Sequence, residues 1–257
     1  MKDRIFFHRS YRTIPRARAG AGLDLIALIV PLELVLLLFH RQILDAVVRA
    51  AGWLVERCGF ETTVAYDRFL PYVIEQVPVL NLGVVFPSSR FAWANLIVAL
   101  AIVVLLPLIR FVPRPLMVFL VFVSLLNLCS AVFFLTVPHE FPYDIFTFSS
   151  LYMKLVLGLW LLLPVLLAVA LNPLPARTGG KFAVAVFTVA YSIVFATVRY
   201  AVFLYLMTRF SVLYMAAMFF ALGPFIDFAY VVAIYALYLN RLALRMKRNP
   251  EAWQWLS

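Results

Sequence analysis

Six long apolar stretches dominate the pattern of hydrophobic and polar positions along the chain. A membrane-spanning helix needs roughly 20 mostly apolar residues. The pattern therefore predicts an all-α fold, a polytopic membrane helix bundle with six transmembrane helices. The predicted spans run from about Ala21 to His40, Phe91 to Leu108, Pro115 to Val137, Phe146 to Leu171, Phe182 to Met207 and Val212 to Asn240.

The interval 41–90, between the first two predicted spans, has a pattern of its own. Its first part repeats apolar residues at helical spacing, which predicts an amphipathic helix. This helix either continues the first span or lies on the membrane surface, and Gly59 suits its end. From Tyr72 to Phe86 the sequence favours extended chain lying over the helix ends. Ser88 or Ser89 can cap the second span.

Composition indicates a membrane protein, and the distribution of charge predicts its orientation in the membrane. The chain is 65% hydrophobic and 13% charged, against about 25% charged residues in soluble domains. One membrane domain (21–240) is thus expected between basic tails, 1–20 and 241–257. Because cytoplasmic segments of membrane proteins carry excess Lys and Arg, the tails predict an N-in/C-in topology in the inner (plasma) membrane. They also predict anionic lipid as a partner, and no nucleic acid.

Four ionisable residues fall inside predicted spans at similar depth: Glu33, Lys154, Arg199 and Asp227. Such residues are costly in lipid and usually face the protein interior or a wet cavity. Two positive and two negative charges can neutralise one another. We weigh a structural ion-pair network against a polar cavity holding a head group, a sugar phosphate or an ion, with outward snorkelling of Lys154 or Arg199 as a third interpretation.

A second polar group is expected on the outer side, from His40, His139, Glu140 and Asp144. Three of them share one short loop, for which solvated surface is a better interpretation than a transition-metal site. Haem needs paired histidines within helices, and these are missing. No metal and no cofactor are predicted.

A thiol enzyme is the one catalytic hypothesis with candidate residues. Cys129, His139 and Arg199 lie toward the outer side, where they are partly similar to exosortase-like enzymes, which place Cys, Arg and His at helix ends. The order in that family is Cys, Arg, His, and here no histidine follows Arg199, so this reading is disfavoured. Cys129 is interpreted as a small buried apolar cysteine, and no catalytic residue is predicted.

Three functional classes remain. The favoured one is a non-catalytic membrane subunit that scaffolds a cell-envelope complex with other membrane or envelope proteins, for instance in polysaccharide or glycolipid synthesis or export. The second is a small transporter or lipid-handling protein that uses the four intramembrane charges. The third is a membrane enzyme of another type, using His139, Glu140 or Cys129.

Overall fold

The computed structural model describes residues 21–69, 76–109, 111–174 and 176–247, with side chains for all of these except residues 21 and 245–247. Six segments are long and apolar enough to cross a membrane. The helices are α1 (Ala21–Arg57), α2 (Ser89–Leu105), α3 (Arg114–Thr136), α4 (Ile145–Leu171), α5 (Thr178–Arg209), α6 (Met215–Phe220) and α7 (Pro224–Lys247). The strands are β1 (Thr63–Asp67) and β2 (Val77–Asn81).

The amphipathic stretch after the first predicted span is the second half of α1, so the first of the two alternatives is correct. Leu44, Val48, Ala51 and Val55 from this half are almost fully buried, and their packing carries the helix 17 residues beyond His40. Gly59 adopts a φ of +89° just after the helix ends. This left-handed conformation favours glycine.

Helices α1, α4 and α5 form the centre of the bundle. At one end, Thr178 donates to Asp24 (2.8 Å) and Lys181 donates to the carbonyl of Asn172 (2.8 Å). These contacts place the starts of α1 and α5 beside the end of α4. We call this end the base. Helices α1 and α5 therefore run parallel, and α4 runs antiparallel to both.

The opposite end, here the hairpin end, is covered by a two-stranded antiparallel sheet. Strand β2 belongs to the segment that was predicted to be extended, whereas β1 was not predicted, so the bundle is not purely α-helical. The register pairs Val64 with Leu80 and Tyr66 with Pro78. Residues 77–80 of β2 are buried, whereas β1 is largely exposed. The buried N–H of Leu80 donates to the hydroxyl of Tyr200 on α5 (2.9 Å).

The sixth predicted span is not one continuous helix. A short 3-10 turn (Val212–Tyr214) and α6 precede a break at residues 221–223, after which α7 begins at Pro224. Proline lacks the N–H that would continue the helix and disfavours helical geometry in the residue before it. A Cβ on Gly223 would lie 2.5 Å from the carbonyl oxygen of Phe219, so only glycine fits here.

Other boundaries agree with the sequence to within a few residues. Ser88 caps α2 by accepting from the N–H of Phe91 (3.3 Å). Helix α7 continues to Lys247, seven residues into the segment assigned to the C-terminal tail. The N-terminal tail, residues 248–257 and residues 70–75, which include the first four residues (72–75) of the expected extended segment, lie outside the described residues.

Tyr200→Phe tests how the hairpin is attached. The substitution leaves the buried N–H of Leu80 without an acceptor, which is expected to cost about 1–3 kcal/mol of unfolding free energy. The control is Tyr66→Phe on β1, where the side chain is 58% exposed, and it should change stability by less than about 0.5 kcal/mol. Unfolding of the purified protein in detergent measures both. Equal stability of the two variants would contradict the attachment.

Candidate functional site

The centre of the candidate site is an ion pair between Arg199 on α5 and Asp227 in the first turn of α7. Nη1 and Nη2 of Arg199 each donate to one carboxylate oxygen of Asp227, both at 2.8 Å. The side chains are only 4% and 3% exposed. The guanidinium and the carboxylate thus form two parallel hydrogen bonds. This bidentate arrangement is the strongest geometry for an Arg–carboxylate pair.

The remaining donors of Arg199 reach the helix break and α4. Nη1 also donates to the carbonyl of Gly223 (3.0 Å) and, at a longer 3.4 Å, to that of Leu222. Nε donates to the hydroxyl of Tyr152 (3.1 Å). The carbonyl of Gly223 also accepts from the N–H of Asp227 at the start of α7 (3.2 Å). One guanidinium thus supplies donors to the backbone at the break and to the carboxylate together. We call this arrangement the arginine clamp.

Aromatic residues extend the arginine clamp to the hairpin. The ring of Tyr152 lies 5.5 Å below the guanidinium carbon of Arg199 and stacks on Tyr200 at a centroid distance of 5.0 Å. Tyr200 in turn accepts the bond from Leu80 in β2. A chain of direct contacts thus joins the helix break, α4, α5 and the sheet.

A second set of buried polar contacts lies one to two turns nearer the base. Both Trp160 on α4 and Tyr230 on α7 donate to the hydroxyl of Ser192, at 3.1 and 2.7 Å. Ser192 is 1% exposed. It therefore bridges three helices, as polar side chains between membrane helices commonly do.

Lys154 does not join the arginine clamp and does not pair with Glu33. Its Nζ lies 2.7 Å from Oδ2 of Asp67 in β1, and Ser150 on α4 donates to the same carboxylate. The pair is about one quarter exposed, at the hairpin end. Asp67 was not among the predicted site residues, because it lies in the interval outside the predicted spans.

The electrostatics of Asp67 reflect this position. Partial burial raises the pKa of the carboxyl, but hydrogen bonds from Lys154, Ser150 and the N–H of Arg68, with the charge of Lys154, outweigh it. The pKa of Asp67 therefore lies below its usual value. The carboxylate stays ionised at neutral pH and ties the hairpin to α4.

Glu33 has no partner among the described residues. Its Oε1 is covered by protein yet accepts no hydrogen bond, and the two ion pairs in the described part of the chain use other residues. Of the four intramembrane charges, the structure brings together Arg199 and Asp227 and leaves Lys154 and Glu33 apart from them.

The predicted outer-side polar group is not assembled into one site. His40 keeps its ring Nδ1 2.7 Å from the carbonyl of Leu37 in α1. His139 and Glu140 lie in the exposed 3-10 turn Pro138–Glu140. No hydrogen bond joins any two of the four within the described ranges, nor do three metal-ligating side chains gather there.

Asp144 instead has a local role. It caps α4 by accepting from the N–H of Thr147 (2.8 Å). The hydrogen bonds with Thr147 lower the pKa of the Asp144 carboxyl, as is usual for a carboxylate at a helix N-terminus. A short polar residue directly before a span is the capping signal that the sequence offered here.

The interpretation of Cys129 as a buried cysteine is wrong. The thiol is exposed on the surface of α3, and Cys58 is exposed after α1. The third helix turns Ser124 inward, and Cys129 lies about 140° around the helix from it at 100° per residue. That face of α3 is covered by no other described helix.

A shallow apolar groove of about 470 Å³ lies between residues 43–54 of α1 and 193–198 of α5. None of the predicted site residues lines it. The arginine clamp itself is packed inside the bundle.

No protein-family model, curated protein or solved structure matches this chain. The fold and the site define a class, a multi-pass helical membrane protein with an internal arginine clamp across a broken span.

Asp227→Asn tests the arginine clamp. It keeps the shape of the side chain but leaves a buried guanidinium without its counter-charge, which typically costs about 3–5 kcal/mol. The matched control is Lys154→Gln, which breaks the more exposed pair with Asp67 and should cost about 0–1 kcal/mol. Reversible unfolding in mixed detergent micelles measures both. A loss for Asp227→Asn no larger than that of the control would contradict the central place of the clamp.

The lowered pKa of Asp67 predicts acid sensitivity at the hairpin end. A carboxyl whose folded pKa lies below its unfolded value of about 3.9 contributes stability above that value and loses it as pH falls through the folded pKa. The thermal midpoint of the wild type should thus fall more between pH 5 and pH 3 than that of Asp67→Asn. Parallel pH profiles of the two proteins would argue against this.

Proposed function

We propose that the chain is a non-catalytic integral membrane subunit that scaffolds a larger cell-envelope complex. In this proposal it lies in the inner (plasma) membrane with both ends in the cytoplasm, and the basic tails bind anionic lipid. A complex that makes, modifies or exports a polysaccharide or a glycolipid is the instance that we favour. The tails support the orientation, since 1–20 contains six Lys or Arg residues.

The observation that carries the proposal is a contrast between the inside and the surface. Inside, the arginine clamp uses the donors of Arg199 on its own chain, through Asp227, Gly223 and Tyr152. A transporter with a broken span leaves helix ends free to hold its substrate. Here the first turn of α7 already holds a carboxylate of the chain itself, which favours a structural role.

On the surface, the hairpin end exposes apolar side chains. Val64, Tyr66 and Phe86 are between 50% and 58% exposed, and Val85 is 44% exposed. Apolar residues exposed together beyond the spans commonly mark protein–protein contacts. An ordered sheet fixed to α5 presents them on a rigid support, which suits docking of an envelope partner.

The experiment is purification in mild detergent at native expression, followed by identification of the proteins and lipids that remain bound. The double variant Val64→Ser/Tyr66→Ser should keep wild-type abundance and thermal midpoint, because both side chains are exposed. We expect it to lose at least about tenfold of the copurifying partner.

The control is Arg68→Gln, an exposed polar change on the same hairpin, which should retain the partner. A monomer with only bulk lipid in every preparation would contradict the proposal. Transport or catalysis by the isolated chain would also contradict it.

A further inference from the structure

Glu33 lies deep in the first span, away from the polar ends of the bundle. The base is marked by the contacts of Asp24 with Thr178 and of Lys181 with Asn172. Glu33 is nine residues beyond Asp24 in the same helix, about 14 Å at 1.5 Å per residue. A hydrocarbon core of about 30 Å puts Glu33 near its middle.

At this depth the carboxyl has lost its hydrogen bonds to water, and no described residue replaces them. Oε1 is covered by protein and accepts no bond. Glu33 is half-buried, and the part that the protein does not cover faces lipid rather than solvent. An ionisable group in the hydrocarbon is expensive, and such groups are nearly always paired.

Three buried or half-buried cations of α4 and α5 are engaged elsewhere. Arg199 holds Asp227, Lys154 holds Asp67, and Lys181 donates to the carbonyl of Asn172 at the base. Glu33 is therefore an intramembrane acidic group for which the described residues provide no counter-charge.

On one side of Glu33, the neighbouring side chains of α1 face outward from the bundle. Val30 and Leu37, one turn before and one turn after it on the same face, are 51% and 43% exposed. Leu34 and Leu38 continue this strip of exposed apolar residues around the helix. A second helix lying along the strip would bury these side chains and reach Glu33 at its edge.

We propose that this face of α1 docks a transmembrane helix of a partner protein that carries a lysine or arginine near its middle, with Glu33 as the counter-charge. The occupant follows from charge complementarity: an acid in lipid that no described residue neutralises is satisfied by a base on a neighbouring helix. The inference rests on the proposed scaffolding role and specifies the chemistry of one partner. It concerns the lipid-facing surface, not the hairpin.

The test uses the full chain in phosphatidylcholine vesicles with synthetic 23-residue Leu/Ala transmembrane peptides that carry Lys, Gln or Leu at the centre. The chain carries a donor dye on Cys58 in a Cys129→Ala background, and the peptides carry an acceptor. Interhelical polar contacts in membranes contribute on the order of 1 kcal/mol. We therefore expect the Lys peptide to associate roughly fivefold more tightly than the Leu peptide.

Glu33→Gln should remove this preference and Glu33→Asp should keep it. Leu162→Gln, the same kind of polar change at an exposed position in the middle of α4 and outside the strip (50% exposed), is the control and should leave the preference unchanged. Equal association of the Lys and Leu peptides with the wild type, or a preference for Lys that survives Glu33→Gln, would overturn the inference.

A second measurement excludes a hidden internal partner. Glu33→Leu should leave the thermal midpoint of the isolated chain unchanged or raise it, because an unpaired carboxyl is replaced by an apolar side chain. A drop comparable with that of Asp227→Asn would show that Glu33 has a partner within the chain and would overturn the inference. Copurification of partners through the hairpin is measured separately, so failure here leaves the scaffolding proposal standing on its own test.

Discussion

The buried ion pair between Arg199 and Asp227 is the contact on which the rest of the fold depends. The interruption at residues 221–223 removes part of the helical hydrogen bonding of the sixth span inside the bundle, where water is scarce. The carbonyl of Gly223 keeps one backbone bond, from the N–H of Asp227 (3.2 Å). Arg199 donates to the carbonyls of Leu222 and Gly223 and to the carboxylate of Asp227. The guanidinium therefore stabilises the break, and the carboxylate of Asp227 neutralises the guanidinium.

Direct contacts connect the arginine clamp to the hairpin end. Tyr152 meets Arg199 on one side and Tyr200 on the other, and Tyr200 holds β2 by its hydroxyl. The link between Asp67 and Lys154 fixes the other strand to α4. The sheet is thus a fixed part of the bundle. A rigid, partly apolar surface beyond the spans suits a protein whose role is to hold partners together.

Much of the architecture is readable in the sequence because lipid imposes simple rules. Six apolar stretches predict six spans, and the capping residue Ser88 and the terminator Gly59 mark helix ends by local chemistry. The break before Pro224 has a local signal as well, because proline kinks or interrupts a helix. Pairing was harder to predict: Arg199 and Asp227 share a depth and meet, but Lys154 finds Asp67, whose strand position depends on the register of the hairpin. The exposure of side chains on α3 was also hard to predict, because it depends on which helices pack against α3. Cys129 lies on a face that they leave exposed.

A double-mutant cycle on Arg199 and Asp227 tests the account most directly. The unfolding free energies of the wild type, Arg199→Met, Asp227→Asn and the double variant give the coupling between the two side chains. For close, desolvated charge pairs we expect a coupling of at least about 1.5 kcal/mol, with the double variant less damaged than the sum of the single changes. Effects that add to within about 0.5 kcal/mol would contradict the claim that this pair organises the fold.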